Sequence, residues 1–338
     1  MSQTPGSDAS RGKTVGRDVA RAGRHFAIPA TLLAREVSVA TAPKSILPNK
    51  KIRLDRILVA TDFSAISTRA LDYAVSLARL YESQIHLAHV VSPDAYPLTA
   101  PEVTVRSVDK QLAEARTKTQ ELLLSNRFQG VPYEVNIETG ALWPVLEKMI
   151  KRYGIDLVVV GTHGMGAVKK VLIGSGAEQI FRQCQEPVLT VGPAVEDKYP
   201  TEREFKNILL ATDFGLGAER EAAFAFSLGQ EHDATVTLLY VVRHMEDYSE
   251  DGMALKREAI RNQLRELVPE QGDVWCQTQL RMRVGDPVEE ILGAAEETNA
   301  DLIVMGAKKR ANLPGHVPGT KAYKVVTRSH CPVLTVRS

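Results

Sequence analysis

The chain has 338 residues, of which 44% are hydrophobic and 25% charged, and its formal net charge is +1. At roughly 150 residues per domain, this length predicts about two domains, and the ordinary composition excludes collagen-like, mucin-like and wholly disordered proteins. No apolar segment approaches the roughly 18–20 residues that a membrane-spanning helix needs. The balanced charge argues against a protein dedicated to binding nucleic acid. The three cysteines, Cys184, Cys276 and Cys331, lie far apart and suggest neither a metal site nor a disulfide framework, so we expect a cytoplasmic protein.

The first 50 residues differ in charge from the rest of the chain. They hold eight Lys and Arg against three Asp and Glu, a net charge of +5, whereas the remaining residues have a net charge of −4. Residues 1–24 are rich in Ser, Gly, Arg and Ala and contain almost no large apolar side chains. Such a segment cannot bury enough apolar surface to fold. We predict a basic, disordered N-terminal extension over residues 1–50, and we expect no secretory signal within it.

After residue 50 the sequence pattern predicts strands and helices in alternation. Residues 57–60 are apolar and precede Thr-Asp, which is typical of a buried strand that ends in a turn, and residues 67–81 carry apolar side chains along one helical face. Further strands are predicted at residues 85–91, 133–137, 157–160 and 188–191, and further helices at 108–124, 143–153 and 175–183. Strands that are apolar on both faces indicate a parallel sheet with helices on both sides, which is a doubly wound, Rossmann-like α/β fold.

This pattern is then repeated as a tandem duplication. The segment ILVATDFS at residues 57–64 returns as ILLATDFG at 208–215, and PVLTV at 187–191 returns at 332–336. The offset falls from 151 to 145 residues, so the second copy is six residues shorter, and the loss lies between residues 91 and 140. We therefore predict two five-stranded domains, over residues 51–192 and 204–338, with a polar linker over residues 193–203.

Ligands of open α/β sheets bind beyond the carboxyl ends of the strands, so the residues after each strand form the candidate site. Asp62 follows the first strand, where its carboxylate could accept hydrogen bonds from a ribose hydroxyl or a base amine. The alternative is that Asp62 caps the next helix together with Ser64 and Ser67. The second copy keeps the acid as Asp213 but has Gly215 in place of Ser64. Because the acid persists where the capping chemistry changes, this comparison favours a role in the site.

A glycine-rich loop follows the fourth strand. Gly161-Thr-His-Gly164 is followed, after nine residues, by Gly174-Ser175, which opens a helix. Glycines let the backbone approach a ligand closely, and the N–H groups and dipole of a helix N-terminus favour phosphate oxygens. The pattern is neither a Walker loop nor the Gly-x-Gly-x-x-Gly dinucleotide motif. The alternative is an ordinary glycine-rich loop, but the spacing favours a phosphate site.

These residues together resemble the universal stress protein family. The resemblance rests on Asp62, on the Gly-x2-Gly-x9-Gly-Ser loop and on the closing Pro-Val-Leu-Thr-Val, and it covers both copies, so the chain resembles a tandem universal stress protein. It implies a five-stranded parallel α/β domain that in many members binds ATP. The acid and the backbone after the second strand would lie on the adenosine side, and the loop would hold ribose and phosphates. The implied nucleotide site of the first copy comprises Asp62, Val90, Gly161, Gly164, Gly174 and Ser175. Gly140, after the third strand, either lets the chain pass near the nucleotide or is simply a turn glycine.

The second copy departs from this pattern. Its loop begins Gly306-Ala-Lys-Lys309, with a lysine in the position of the second glycine, and ends with an intact Gly319-Thr320. The side chain of Lys309 could block the ribose and phosphates, or the basic residues 308–310 could contact the phosphates as point charges. We therefore expect nucleotide binding mainly in the first domain. The equivalent, degenerate site would comprise Asp213, Val241, Gly306, Lys309, Gly319 and Thr320.

The sequence thus predicts a stress-response regulatory protein that binds Mg-ATP mainly through the loop of its first domain. Two alternatives stay open. One is a slow ATPase or autophosphorylating protein with Ser175 or a nearby hydroxyl as acceptor, and the other is a scaffold with vestigial nucleotide sites. The sequence offers no paired general acid and base and no metal-ligand cluster, so we predict no catalytic residue and no metal other than the Mg²⁺ of the nucleotide. The expected partners are an adenine nucleotide and a protein that the sequence does not identify.

The resemblance also implies how the two copies associate. In the family the last strand commonly pairs between domains, which here would join residues 188–191 to residues 333–336. A tandem chain would then form within itself the dimer that single-domain members form between chains. Association of two whole chains into a homodimer stays open.

Overall fold

The structure is a computed structural model, and it describes residues 52–92, 101–162, 174–195, 204–243, 250–270, 276–307 and 320–337. The N-terminal extension predicted over residues 1–50 and residues 196–203 of the predicted linker lie outside these ranges. Among the described residues, no helix combines the length and the apolar character needed to cross a membrane.

The first copy alternates strands and helices in the expected order. The main difference from the expected bounds is α2, which begins at Pro101 rather than at residue 108. Proline is favourable in the first turn of a helix, but the residues that follow it lack the apolar periodicity from which a helix is predicted. The elements of the first copy are β1 Arg56–Ala60, α1 Ala65–Tyr81, β2 Gln84–Val91, α2 Pro101–Leu124, β3 Tyr133–Thr139, α3 Leu142–Tyr153, β4 Leu157–Gly161, α4 Ser175–Gln183 and β5 Val188–Val191.

The second copy repeats this order with one shifted helix start. Ser64 caps α1, since its hydroxyl accepts a hydrogen bond from the Ser67 N–H at 3.2 Å. Gly215 at the equivalent position has no hydroxyl, and α5 begins two residues later in the repeat, at Ala218. The elements of the second copy are β6 Asn207–Thr212, α5 Ala218–His232, β7 Thr235–Val242, α6 Glu250–Glu266, β8 Gln277–Val284, α7 Pro287–Glu297, β9 Leu302–Gly306, α8 Lys321–Arg328 and β10 Val333–Val336.

The ten described strands form one sheet in the order β3-β2-β1-β4-β5-β10-β9-β6-β7-β8. Neighbouring strands within each copy are parallel. The two halves meet where β5 and β10 pair antiparallel, with Leu189 opposite Leu334. The fold is therefore two five-stranded, doubly wound α/β domains, as expected, and their last strands pair within the chain.

Helices cover both faces of the sheet. Strand β1 shows the alternation, because Ile57 and Val59 pack on the face of α1 whereas Leu58 packs on the face of α3 and α4, and all three side chains are fully buried. Burying each such side chain contributes roughly 1.5–3 kcal/mol relative to exposure. Since α1 follows β1 on one face and α4 follows β4 on the other, the switch point of the first domain lies between the carboxyl ends of β1 and β4. The equivalent point of the second domain lies between β6 and β9.

Side chains also join the two copies. The ring of Tyr73 in α1 stacks on that of Phe205 at a centroid distance of 6.1 Å, and Phe205 meets the ring of His232 in α5 edge-on at 5.0 Å. The buried guanidinium of Arg337, which follows β10, donates a hydrogen bond to the carbonyl of Phe181 in α4. On each face of the sheet, one hydrophobic core contains residues of both copies.

Candidate functional site

Asp62 lies directly after β1 at the carboxyl edge of the sheet and is half-buried. Its Oδ1 accepts a hydrogen bond from the Ser64 N–H at 3.0 Å, and this bond holds a turn in which Phe63 has a φ of +61°. Asp62 therefore shapes the turn, while Ser64 supplies the helix cap. Among the described residues, Asp62 Oδ2 has no hydrogen-bond partner. A carboxylate oxygen in this position can accept a hydrogen bond from a ligand.

His89, near the end of β2, supports the same turn. Its Nδ1 lies 2.8 Å from the carbonyl oxygen of Thr61, and since a carbonyl can only accept, Nδ1 carries the proton and donates. The ring centroids of His89 and Phe63 lie 4.7 Å apart. The Nζ of Lys118 lies over the Phe63 ring, 6.0 Å from its centroid. Burial lowers the pKa of His89, although the Thr61 carbonyl and Asp62 act in the opposite direction. The imidazole is therefore neutral at pH 7. His89 is not among the site residues that the sequence predicts, and its signal in the sequence is its place beside Val90.

Gly161 is the last residue of β4 and is buried. A Cβ at this position would lie 2.9 Å from the backbone of both Ile66 and Ser67 in α1. Few real Cβ atoms lie so close to a backbone atom, so this glycine allows α1 to pack directly on β4. Gly161 thus has a packing role in addition to any contact with a ligand.

The two ends of the glycine-rich loop are joined by backbone hydrogen bonds. The Thr162 N–H donates to the carbonyl of Val191 at 3.0 Å, and the Gly174 N–H donates to the carbonyl of Thr162. Helix α4 begins at Ser175, which is exposed, and no described side chain caps its N-terminus at Gly174. The first N–H groups of a helix have no partner within the helix, so those of α4 can bind a ligand. Gly164 lies outside the described residues.

Val90 and Gly140 lie at the carboxyl ends of β2 and β3. Val90 is half-buried. Gly140 has a φ of +145°, its N–H donates to the Val91 carbonyl at 3.0 Å, and an added Cβ would lie 3.1 Å from Val145 Cγ2. The turn after β3 therefore requires glycine at this position. Because the strands are parallel, both residues lie at the same edge of the sheet as Asp62.

The second domain keeps part of this arrangement. Asp213 Oδ1 accepts a hydrogen bond from the Gly215 N–H at 3.0 Å, and Phe214 again has a positive φ, of 54°. The ring of Phe214 stacks on Tyr240 at 4.6 Å, where the first domain has Phe63 and His89. Asp213 is exposed, unlike the half-buried Asp62. Val241 and Gly306 lie near the carboxyl ends of β7 and β9, and Lys309 and Gly319 lie outside the described residues.

Comparison with known proteins finds the same two copies that the sequence repeat predicts. A family model described as the universal stress protein family matches residues 53–192 and 204–337. The chain belongs to the universal stress protein family. A universal stress protein of Mycolicibacterium smegmatis is 25% identical over 293 residues, which cover 83% of this chain and 96% of that protein. A universal stress protein of Thermus aquaticus is 33% identical over 138 residues, which cover 39% of this chain and 99% of that protein.

A solved structure shares the fold of the whole tandem. It is a universal stress protein from Archaeoglobus fulgidus, with a TM-score of 0.62 and 20% identity, and the match covers 85% of this chain and 99% of that one. The family match includes both copies, so each copy holds a universal stress protein domain.

The two universal stress protein domains differ at the helix after the loop. In the second domain the hydroxyl of Thr320 accepts a hydrogen bond from the Tyr323 N–H at 3.2 Å, so Thr320 caps α8. In the first domain the equivalent Ser175 is the first residue of α4, and the residue before it is glycine. The N-terminus of α8 is thus partly satisfied by its own side chain, whereas no described side chain caps that of α4.

The donors of the first universal stress protein domain fit a nucleotide better than a metal held by side chains. Among the described residues, no group of three or more His, Cys, Asp or Glu could hold a metal ion. The site offers a carboxylate oxygen at Asp62 and backbone N–H groups at the start of α4. These groups match the hydroxyls and the phosphate oxygens of a nucleotide.

Proposed function

We propose that this universal stress protein binds an adenine nucleotide, as Mg-ATP, in its first domain and acts as a regulatory protein of the stress response. The observation that carries the proposal is the N-terminus of α4, which no described side chain caps and which lies at the same switch point as Asp62 Oδ2, an oxygen without a hydrogen-bond partner among the described residues. N–H groups at a helix start bind phosphate, and a carboxylate accepts hydrogen bonds from ribose hydroxyls. ATP carries both groups.

The proposed contacts divide the site into two sides. Asp62 and the backbone at Val90 would face the nucleoside, as the family resemblance implies, and the chain at Gly140 would pass near the nucleotide. The loop from Gly161 to Ser175, including Gly164, would face the ribose and phosphates, with the Ser175 hydroxyl as a further donor. We propose that Mg²⁺ is held by the phosphate oxygens of the nucleotide, since the described residues include no cluster of metal ligands.

We propose a regulatory role rather than rapid catalysis, since the sequence offers no paired general acid and base. His89 is neutral, and its Nδ1 proton is used in the hydrogen bond to the Thr61 carbonyl. It is therefore poorly placed to act as a general acid towards a ligand. Binding of the nucleotide would change a surface that a protein partner contacts. We also propose a cytoplasmic setting, which is supported by the three cysteines, none of which forms a disulfide.

The nucleotide content of gently purified protein tests this proposal. The protein is denatured, the released nucleotide is separated, and the moles of ATP are compared with the moles of chain. We expect about one ATP per chain. Gly174→Val should abolish binding without unfolding the protein, because Gly174 has a φ of −61° and a ψ of 150°, which valine adopts readily. Gly319→Val, the matched change in the second copy, should leave the number of ATP molecules bound per chain unchanged.

Other outcomes would change the conclusion. About two ATP per chain would mean that the second domain also binds ATP. No ATP, even after incubation with excess Mg-ATP, would overturn the proposal and leave the scaffold alternative. Steady phosphate release, or transfer of label from ATP to the protein that Ser175→Ala abolishes, would support the enzyme alternative.

A further inference from the structure

Strands β3 and β8 form the two outer edges of the described sheet. No residue of either strand is buried, whereas every residue of the central strand β4 is buried. Two exposed large apolar side chains lie on these edges, namely Tyr133 at 44% and Val284 at 46% exposure. An edge strand presents backbone N–H and C=O groups that can pair with a strand of another chain. The two edges are therefore candidate surfaces for association.

The edges carry opposite charges on one face of the sheet. Val135, Leu280 and Met282 pack on the hydrophobic core on the face of α1. Successive side chains of a strand point to opposite faces, so the charged residues of both strands lie on the other face. On that face β3 carries Glu134, Asn136 and Glu138, and β8 carries Gln279, Arg281 and Arg283. The first domain thus ends in an acidic strand and the second in a basic one.

The backbone of each edge determines which residues can pair with a second chain. Just before β3, the Pro132 carbonyl accepts a hydrogen bond from the Ile85 N–H of β2. Just after β8, the Gly285 N–H donates to the Val242 carbonyl of β7. Neighbouring residues of a strand direct their backbone groups to opposite sides. The odd-numbered residues of β3 and the even-numbered residues of β8 therefore direct their N–H and C=O groups outward.

A second copy that continues the sheet brings its β8 beside β3. The strands of each domain are parallel, and the domains meet antiparallel at β5 and β10, so β3 and β8 run in opposite directions. One antiparallel register joins outward backbone groups and pairs all seven residues of β3 with residues of β8. In it, apolar side chains meet apolar ones and an acid meets an arginine: Tyr133 with Val284 of the second chain, Val135 with its Met282 and Glu134 with its Arg283.

Pairing of like edges is less favourable. Two β3 strands that overlap fully and antiparallel would place Glu134 opposite Glu138 of the second chain. Two β8 strands would bring their Arg281 side chains directly or diagonally opposite each other. Like charges in these positions destabilise a strand pair, whereas opposite charges stabilise it. The charges of the two edges therefore favour a contact between β3 and β8.

The charged side chains select the partner edge more than they supply affinity. Arg281 and Arg283 already form ion pairs with Glu297, and Arg283 also pairs with Glu290. The Oε1 of Glu134 accepts a hydrogen bond from the Tyr153 hydroxyl at 2.6 Å. A further ion pair at a partly exposed position contributes little to binding. The backbone hydrogen bonds and the apolar pairs on the face of α1 are the main source of affinity.

We propose that this chain associates head to tail with further copies of itself, with β3 of one copy paired to β8 of the next. Each added copy leaves one β3 and one β8 unused at the two ends, so the contact is heterologous and continues beyond two chains. The last strands of the two domains take no part, because they already pair within the chain. The contact does not require a bound nucleotide.

Sedimentation equilibrium of the full chain over a range of concentrations tests this association. We expect the average mass to rise past that of two chains. Tyr133→Lys changes the β3 edge and Val284→Lys the β8 edge, and each places an ammonium group in an apolar cross-strand pair. Each variant alone should associate more weakly by about tenfold or more. Leu255→Lys, on α6 and 74% exposed, is the matched control and should associate like the parent.

A mixture of the two variants identifies the contact. The Tyr133→Lys chain keeps an intact β8 edge, and the Val284→Lys chain keeps an intact β3 edge. The mixture should therefore form one-to-one pairs that grow no further. If Tyr133→Lys does not fold, Glu138→Lys, at an exposed position of the same strand, takes its place.

Other outcomes would overturn the proposal. A parent that stays monomeric, or whose mass stops at two chains, excludes an open head-to-tail series. If either variant alone associates as strongly as the parent, the contact joins like edges or lies elsewhere. A mixture that stays monomeric, once circular dichroism shows that both variants are folded, excludes pairing of β3 with β8. Loss of association in Leu255→Lys would place the contact on α6.

Discussion

Glycines at equivalent positions of the two copies meet different neighbours. Gly161 faces the backbone of α1, whereas Gly306 faces the carboxylate of Glu221. The two glycines come from the same motif, and the sequence interpretation assigns both to a nucleotide site. Packing explains the absence of a side chain at each of them. Any contact of these glycines with a nucleotide remains a prediction.

Replacing Gly161 by alanine is expected to destabilise the protein. The new Cβ would lie 2.9 Å from backbone atoms of α1, which cannot move aside without shifting the helix. Overpacking of this kind typically lowers the free energy of unfolding by about 1–3 kcal/mol. Gly174→Ala should change it by less than about 0.5 kcal/mol, because Gly174 has backbone angles that alanine adopts. Urea denaturation of both variants checks this difference, and equal losses would contradict the packing role of Gly161.

At the scale of single elements, one hydroxyl sets the start of α1. Ser64→Ala removes the acceptor of the Ser67 N–H and should lower the free energy of unfolding by about 1 kcal/mol. Ser175→Ala is the matched control at the start of α4, where no described side chain caps the helix, and it should have little effect. Thermal and urea unfolding of the two variants measure the difference. If Ser175→Ala proved as destabilising as Ser64→Ala, α4 would have a cap after all and its N-terminus would not be open.

The sequence predicts elements better than it predicts contacts between them. Apolar segments such as residues 157–160 are buried on both faces, so their strands and the parallel sheet follow from the pattern alone. The shifted start of α5 also has a sequence signal, the replacement of Ser64 by Gly215. The hydrogen bond from His89 to Thr61 joins residues 28 positions apart, and a periodic pattern does not encode it. The contact between Glu221 and Gly306 also joins residues far apart in the sequence, so the pattern does not predict it.

The two copies are expected to unfold as one unit, because they share a ten-stranded sheet and a core on each face. Changes in either domain should therefore appear in a common unfolding transition. Among the described residues, three histidines are placed to affect it, namely His86, His89 and His232. Burial is the largest cause that lowers the pKa of each, because it penalises the charged imidazolium.

These histidines make the stability of the folded state depend on pH. Their pKa values lie below that of a histidine in the unfolded chain, which is about 6.5. Below that pH the unfolded state binds more protons than the folded state, so acidification favours unfolding. The free energy of unfolding should therefore be nearly constant between about pH 7 and 8 and should fall as the pH drops below about 6.5. A comparison at about pH 7.5 and 5.5 captures this loss before most carboxylates titrate.

His86 allows the contribution of one residue to be separated. Among the described residues, neither of its ring nitrogens has a hydrogen-bond partner, and Nδ1 lies 3.7 Å from Glu134 Oε2. The second copy holds Thr237 at the equivalent position, so His86→Thr is a substitution that this sheet accommodates.

The His86→Thr variant should be less stable at both pH values, because it loses the contact between the rings of His86 and Tyr153, whose centroids lie 4.2 Å apart. It should also reduce the difference in the free energy of unfolding between pH 7.5 and 5.5, since one group that resists protonation in the folded state is gone. Urea unfolding of the parent and the variant at both pH values measures that difference, and an undiminished difference in the variant would assign the pH dependence to other groups.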